Sequence, residues 1–255
     1  MVSVLSNSFV GLTAALLFAF ATFVKADYDI HHPPHTTDAS HGQAGVNDCV
    51  KTYGDSNPNA KCQTAVINSV TDFCLWAPDH SATIGDRERD VVAYCTKSGY
   101  GTRLIPQGTI KGAQFRKTPS FVQVTGLCDC TKINVAPGDE GINEWSSFIG
   151  ADEFSFRGCI GPNAADYCPH IYDEQGSEWN HPGRYESGIF ENCDATEGKF
   201  PGVYHGHRWH QGDGPAPPAH KAGRTSNCKQ FKGIKQTRSR GAPTLLRRAL
   251  FGKAK

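Results

Sequence analysis

The sequence predicts an α+β fold: a small, disulfide-stapled secreted domain with a short antiparallel sheet flanked by helices. Three observations carry this expectation. The chain holds ten cysteines in 255 residues, it opens on an apolar segment, and helix-like, strand-like and helix-like patterns follow one another along its middle. So many cysteines point to an oxidising compartment. Apolar residues make up 38% of the chain, and the 27 glycines bring the total into the globular range, which excludes global disorder.

The apolar segment runs from Phe9 to Val24 without a charge and ends at Val24-Lys25-Ala26. This reads as a secretory signal over residues 1–26, cleaved before Asp27. No later stretch could cross a bilayer, so no stable membrane insertion is expected after cleavage. Residues 27–48 lack an apolar period and contain Pro33-Pro34 and four histidines. They read as a flexible arm in which His31, His32, His35 and His41 could gather a metal ion weakly. No cofactor is expected.

Residues 49–204 should fold. Asn57-Pro58 resembles a helix start, and Cys62, Val66, Ser69, Val70 and Phe73 recur at three- and four-residue spacing up to Pro78. A continuous helix would separate Cys62 from Cys74 by about 18 Å at 1.5 Å per residue. That is too far for a bridge, so each would staple the helix to something else. Val91–Cys95, Arg103–Ile105, Ala113–Lys117, Phe121–Leu127 and Ile133–Val135 are short β-favouring runs set between glycines and prolines. Helices are expected again over Glu144–Ile149 and Ala164–Asp173.

The cysteines divide unevenly. Cys49, Cys62, Cys74, Cys95, Cys128, Cys130, Cys159, Cys168 and Cys193 lie in the expected domain, and Cys228 lies beyond it. Either Cys228 is bridged to the domain or thiols stay unpaired and available to a second chain. Zinc would want spacings such as C-x2-C, and only Cys128-Asp129-Cys130 comes near.

Residues 205–255 read as a basic disordered tail. Residues 201–255 hold 12 Lys/Arg against Asp213 alone, although the whole chain has a net charge of only +1. A stretch so charged could bind polyanions through Arg208, Lys221, Arg224, Lys229, Lys232, Lys235, Arg238, Arg240, Arg247 and Arg248. The alternative is inert disorder, or trimming at Arg247-Arg248.

Several runs carry a resemblance: CQTAVINSVTDFCLWAP (62–78), TIGDRERDVVAYCTKSGYGTRLIPQGTIKGAQF (83–115), TPSFVQVTG (118–126), and YCPHIYDEQG, FENC and PGVY within 167–204. Over about residues 59–204 the chain resembles secreted fungal macrophage-activating glycoproteins. The resemblance implies an extracellular, cysteine-stapled protein with no defined catalytic mechanism. It also implies departures: members carry cysteines where Ser155 and Ser177 stand, as expected of a bridge lost as a unit, and a glycine-rich segment after Gly141 that this chain lacks. No Asn-x-Ser/Thr sequon occurs here, so N-linked glycan is not expected.

A hydrolase would need converging carboxylates or a nucleophile with its base. Asp86, Glu88, Asp139, Glu140, Asp173 and Glu174, with His170 or His181, are the available groups, and no spacing forces them together. The expected function is therefore that of a secreted extracellular or cell-wall-associated protein, non-catalytic, contacting glycan or host surfaces. The alternatives are a secreted hydrolase acting on cell-wall polysaccharide and a polyanion-binding protein acting through the basic tail.

Overall fold

Where a first helix was expected, the chain makes a hairpin. In the computed structural model, which describes residues 48–135 and 146–235 and the backbone of 250–251, β1 (Ala65–Ser69) pairs antiparallel with β2 (Asp72–Ala77). The three- and four-residue spacing is outweighed by composition. Thr64, Val66, Ile67, Val70 and Thr71 are β-branched, Phe73 and Trp76 are aromatic, and all favour a pleated surface. Cys62 and Cys74 do staple to other partners, but they sit on strand-forming chain rather than on one helix.

Two sheets pack face to face. The smaller has the order β13-β1-β2-β3-β4, with β3 at Val92–Cys95, β4 at Arg103–Leu104 and β13 at Leu250–Phe251. The larger has the order β12-β9-β5-β6-β8-β7. Here β5 spans Ile110–Lys117, β6 Phe121–Cys128, β7 Ser147–Ile149, β8 Glu153–Cys159, β9 Phe190–Ala195 and β12 Thr225–Gln230. Antiparallel ladders dominate, except that β5 runs parallel to β9 and β3 to β4. Between the sheets Phe73 stacks on Phe154 with ring centroids 5.7 Å apart, and Trp76 meets Phe156 at 4.8 Å. Val66, Leu75, Phe115 and Val124 join the same buried cluster. Burying side chains of this size contributes about 1.5–3 kcal/mol each.

Helices are few and short among the described residues. They are α1 (Cys49–Tyr53), α2 (Ile84–Arg87), α3 (Ala164–Tyr167) and α4 (Gly176–Asn180). The fold is therefore mostly sheet, and neither "flanked by helices" nor "short sheet" describes it. The expected helix over Glu144–Ile149 is instead β7 at its described end. The one over Ala164–Asp173 stops after α3, at a C-cap on Cys168. Ile133–Val135, expected as a strand, is the end of a 3₁₀ turn followed by a single bridge from Val135 to Ala82. No described helix is long and apolar enough to cross a membrane. Residues 1–47, and with them the expected signal and histidine arm, lie outside the described residues.

All ten cysteines are bridged, each to its neighbour in sequence: Cys49–Cys62, Cys74–Cys95, Cys128–Cys130, Cys159–Cys168 and Cys193–Cys228. Cys74 and Cys95 stand directly opposite each other on β2 and β3. Cys228 settles the odd count by bonding Cys193 across β9 and β12. It does so inside a bulge, where the register shifts between Ser226 and Lys229 and Asn227 adopts φ 51°. Residues 205–235 are thus part of the fold rather than disordered tail: β12 is an edge strand of the large sheet, and β10 (Val203–Tyr204) pairs with β11 (His207–Arg208).

Replacing Cys193 and Cys228 together by serine opens a closed loop of 35 residues. The expected loss is about 2–4 kcal/mol, read as a lower denaturant midpoint. Thiol titration of the unreduced, denatured wild type should find no reactive cysteine.

Candidate functional site

The large sheet buries both of its faces, in opposite ways. Strand alternation sends Ala113, Phe115, Val124, Phe154 and Phe156 into the core between the sheets. The alternate residues Gln114, Arg116, Gln123, Thr125, Ser155, Arg157 and Glu191 are polar, and all are buried. Cross-strand register aligns Gln114 with Thr125 and Glu191, and Gln123 with Arg116 and Arg157. What covers this polar row is a largely irregular layer made of two stretches, 161–189 and 196–223, on either side of β9.

An irregular layer laid over a sheet has main-chain carbonyls without ladder partners, and buried ones must find donors. The row supplies them. Gln123 Nε2 donates to the carbonyls of His181 (3.4 Å) and Pro182 (3.3 Å), and Thr125 Oγ1 to that of Arg184 (3.3 Å). Arg157 Nη1 donates to the Tyr167 carbonyl at 2.7 Å, and its Nε to Gln123 Oε1 at 2.8 Å. Arg116 Nη2 donates to the Gly223 carbonyl. The covering chain approaches so closely at Gly183 that a Cβ there would stand 2.5 Å from Thr125 Oγ1.

Charges in the row are individually answered. The Arg157 guanidinium lies over the Phe121 ring, 4.4 Å from its centroid, and burial lowers its pKa to about 9, which leaves it protonated at neutral pH. Burial pushes the Glu191 carboxyl up, but hydrogen bonds from Gln114, Gln230 and Arg184 outweigh it and hold the group below its ordinary range. His181 Nδ1 lies 2.8 Å from Ser155 Oγ, with Phe148 edge-on to the ring at 5.2 Å. This serine–histidine contact has no route to solvent: Ser155 is 0% and His181 2% exposed. Burial first, and then the nearby Arg157 charge, keep the imidazole neutral. The pair therefore works as packing and positioning, not as an accessible nucleophile with its base.

The covering layer also carries an aromatic group. Tyr172 stacks on Trp209 at 5.8 Å and meets Trp179 edge-on at 4.9 Å, and its hydroxyl donates to the Trp209 carbonyl at 2.7 Å. Gly202 lies against Tyr172 so closely that a Cβ would stand 2.1 Å from its hydroxyl.

With this architecture the chain resembles two fungal proteins. It is 47% identical to appressorium protein ROW2 of Mycosarcoma maydis over 260 residues, which is 89% of this chain and 88% of that protein. The chain belongs to this appressorium-protein family. A second member, appressorium protein ROW1 of the same fungus, is 41% identical over 225 residues, covering 75% of this chain. This chain spans about half of ROW1, 53% of its length. Neither relative bears the macrophage-activating glycoprotein name that the motifs suggested. No protein-family model and no solved structure matches the chain.

In this family member the residues singled out from sequence lie apart. Asp86 is bound to the first turn of α2, where Thr83 Oγ1 donates to it at 2.8 Å. Asp173 and Glu174 form a 3₁₀ turn in the covering layer, His170 is exposed beside it, and Glu88 sits on another 3₁₀ turn after α2. Asp139 and Glu140 lie outside the described residues, as do His31, His32, His35 and His41. Arg208 is paired with Asp166 at 2.6 Å. Lys221, Arg224, Lys229, Lys232 and Lys235 are exposed along β12 and its flanks, while Arg238, Arg240, Arg247 and Arg248 lie outside the described residues. Among the described residues one metal-type cluster forms, Glu191 with Cys193 and Cys228. Its two sulfurs are bonded to each other, which leaves a single carboxylate. Ser155 and Ser177 are both buried and hydrogen-bonded, Ser155 to His181 and Ser177 to Glu153.

The polar row itself was not anticipated. Its signal is the alternation Phe154-Ser155-Phe156-Arg157, a period-two pattern that marks a strand with one polar face.

Because the fold holds His181 below its ordinary value of about 6.5, the unfolded chain binds the proton more readily. The stabilisation is full above that pH and is lost as pH falls toward the folded value. Melting temperature should hold steady from pH 8 to 7 and decline from 6.5 to 5. The variant H181N should melt lower at pH 7 and show a shallower decline over the same window. Asp79 and Glu191, whose carboxyls are held low, add their own loss only at more acid pH.

Proposed function

We propose that this chain is a secreted, non-catalytic protein of the fungal infection structure that contacts cell-wall glycan or the host surface. The observation that carries this reading is the 47% identity to a protein named for the appressorium, shared over nearly the whole of both chains. The geometry supports it in two ways. Five disulfides suit an oxidising extracellular setting, and the polar groups assembled on the large sheet are spent on holding main chain in place. Incubated with insoluble fungal or host wall material, the folded protein should leave the supernatant without releasing soluble sugar. Release of oligosaccharide that a single carboxylate substitution abolishes would favour a wall hydrolase instead.

The polyanion reading has its own support. Lys221, Arg224, Lys229, Lys232 and Lys235 share a segment, 214–235, that contains no Asp or Glu, and strand β12 within it is exposed along its whole length. A cationic edge strand also discourages pairing with other chains. Heparin affinity should fall steeply with salt. The triple variant K229S/K232S/K235S should elute at clearly lower salt than the wild type, and equal elution would assign these lysines to edge protection alone.

A further inference from the structure

Between β11 and β12 the chain runs Gly212-Asp-Gly-Pro-Ala-Pro-Pro-Ala-His220. Three prolines in four positions fix φ, and Ala216 and Pro217, each preceding a proline, are pushed to extended backbone. Residues 215–218 are thus biased toward a polyproline II strap. Such a strap has no internal hydrogen bonds, and with three residues per turn its successive carbonyls point about 120° apart. Two donors meeting consecutive carbonyls must therefore come from different sides. That is what the covering layer provides: Trp179 Nε1 donates to the Pro217 carbonyl at 2.8 Å, and the Tyr204 hydroxyl to the Pro218 carbonyl at 2.6 Å.

Each donor makes a ring contact besides its bond to the strap, Trp179 with the covering layer and Tyr204 with His220 at the strap's end. Trp179 is wedged against Tyr172 and Trp209, at 4.9 and 5.8 Å. Tyr204 stacks on His220 at 4.3 Å, and the His220 ring is fixed by the Val203 carbonyl, 2.9 Å from Nε2. The strap is bounded on one side by Gly212 and Gly214, at φ 100° and 112°. Pro215, Ala216, Pro218 and Ala219 face solvent. Aromatic donors reading carbonyls of an extended proline segment are the chemistry by which proteins bind proline-rich partners.

We propose that Trp179 and Tyr204 form a recognition site for extended proline-rich polypeptide, occupied in cis by residues 214–219. A proline-rich segment of another protein takes the strap's place. This goes beyond the glycan reading and does not rest on it. A tethered occupant competes at an effective concentration of order millimolar, so the site in the resting protein is masked and its apparent affinity reduced.

The test uses the full secreted chain and two fluorescent probes, a peptide of sequence DGPAPPAH and poly-L-proline. An octapeptide with alanine for every proline is the control. The variant P217G/P218G loosens the strap and should bind both probes at least tenfold more tightly than the wild type, by fluorescence anisotropy, while the control stays unbound. Adding W179F, which keeps a ring but removes the donor, should reverse at least fivefold of that gain. The proposal is overturned if folded P217G/P218G binds no better than wild type, if W179F changes nothing, or if the variant self-associates without taking up peptide. Should P217G/P218G not fold, the NMR signals of Ala216, Ala219 and His220 in the isotope-labelled wild type decide the matter. Saturating unlabelled DGPAPPAH must move them to their free-chain positions, and unchanged signals reject the site.

Discussion

The structure depends on side-chain donors aimed at main-chain carbonyls across the outer face of the large sheet. One face of that sheet meets the other sheet through Phe73, Trp76, Phe154 and Phe156 and needs only shape. The other face is covered by chain that is largely neither helix nor strand, and such chain cannot satisfy its own carbonyls. Gln123, Thr125, Arg116 and Arg157 do so from below. Removing Arg157 would leave the buried Tyr167 carbonyl unpaired, which costs about 1–3 kcal/mol, while the carbonyls of Pro182, Arg184 and Gly223 are only part-buried. The polar row thus accompanies an irregular cover, and the cover is what carries the Tyr172–Trp179–Trp209 group and the proline strap.

Serine stands where the resemblance led us to expect cysteine, at positions 155 and 177. Both serines are hydrogen-bonded in the same region, between β8 and α4. Ser155 is tied to His181, whose own carbonyl receives Gln123 and Tyr185. A hydrogen-bonded network holds the cover here, where a covalent staple was expected in relatives. Networks of this kind stiffen a fold when every member is satisfied.

Part of the fold was legible in the sequence. The runs that became β3, β4, β5 and β6 were visible because glycines and prolines bracket short β-branched stretches. Residues 65–77 were misread because apolar spacing alone does not separate a short buried strand from a helix face. Strands β8 and β9 were missed, and with them Ser155, Arg157 and Glu191. Residues 205–235 looked disordered because their apolar content is low; the bridge from Cys228 to the domain, one of the two outcomes the odd cysteine count left open, draws the segment onto the sheet. The strap and its two donors were beyond reach, since Trp179, Tyr204 and Pro217 are brought together only by the folded cover.

The pairing of the cysteines bears on how the molecule is made. Each bonds the next one along the chain, so no two closed loops overlap, and the longest spans 35 residues. A polypeptide delivered from its amino end therefore presents every thiol with its proper partner before the following pair emerges. None has to wait for the carboxyl end, and none needs a wrong bond reshuffled to reach the native set. Oxidation can keep step with synthesis, and the native connectivity is the one that order of arrival favours.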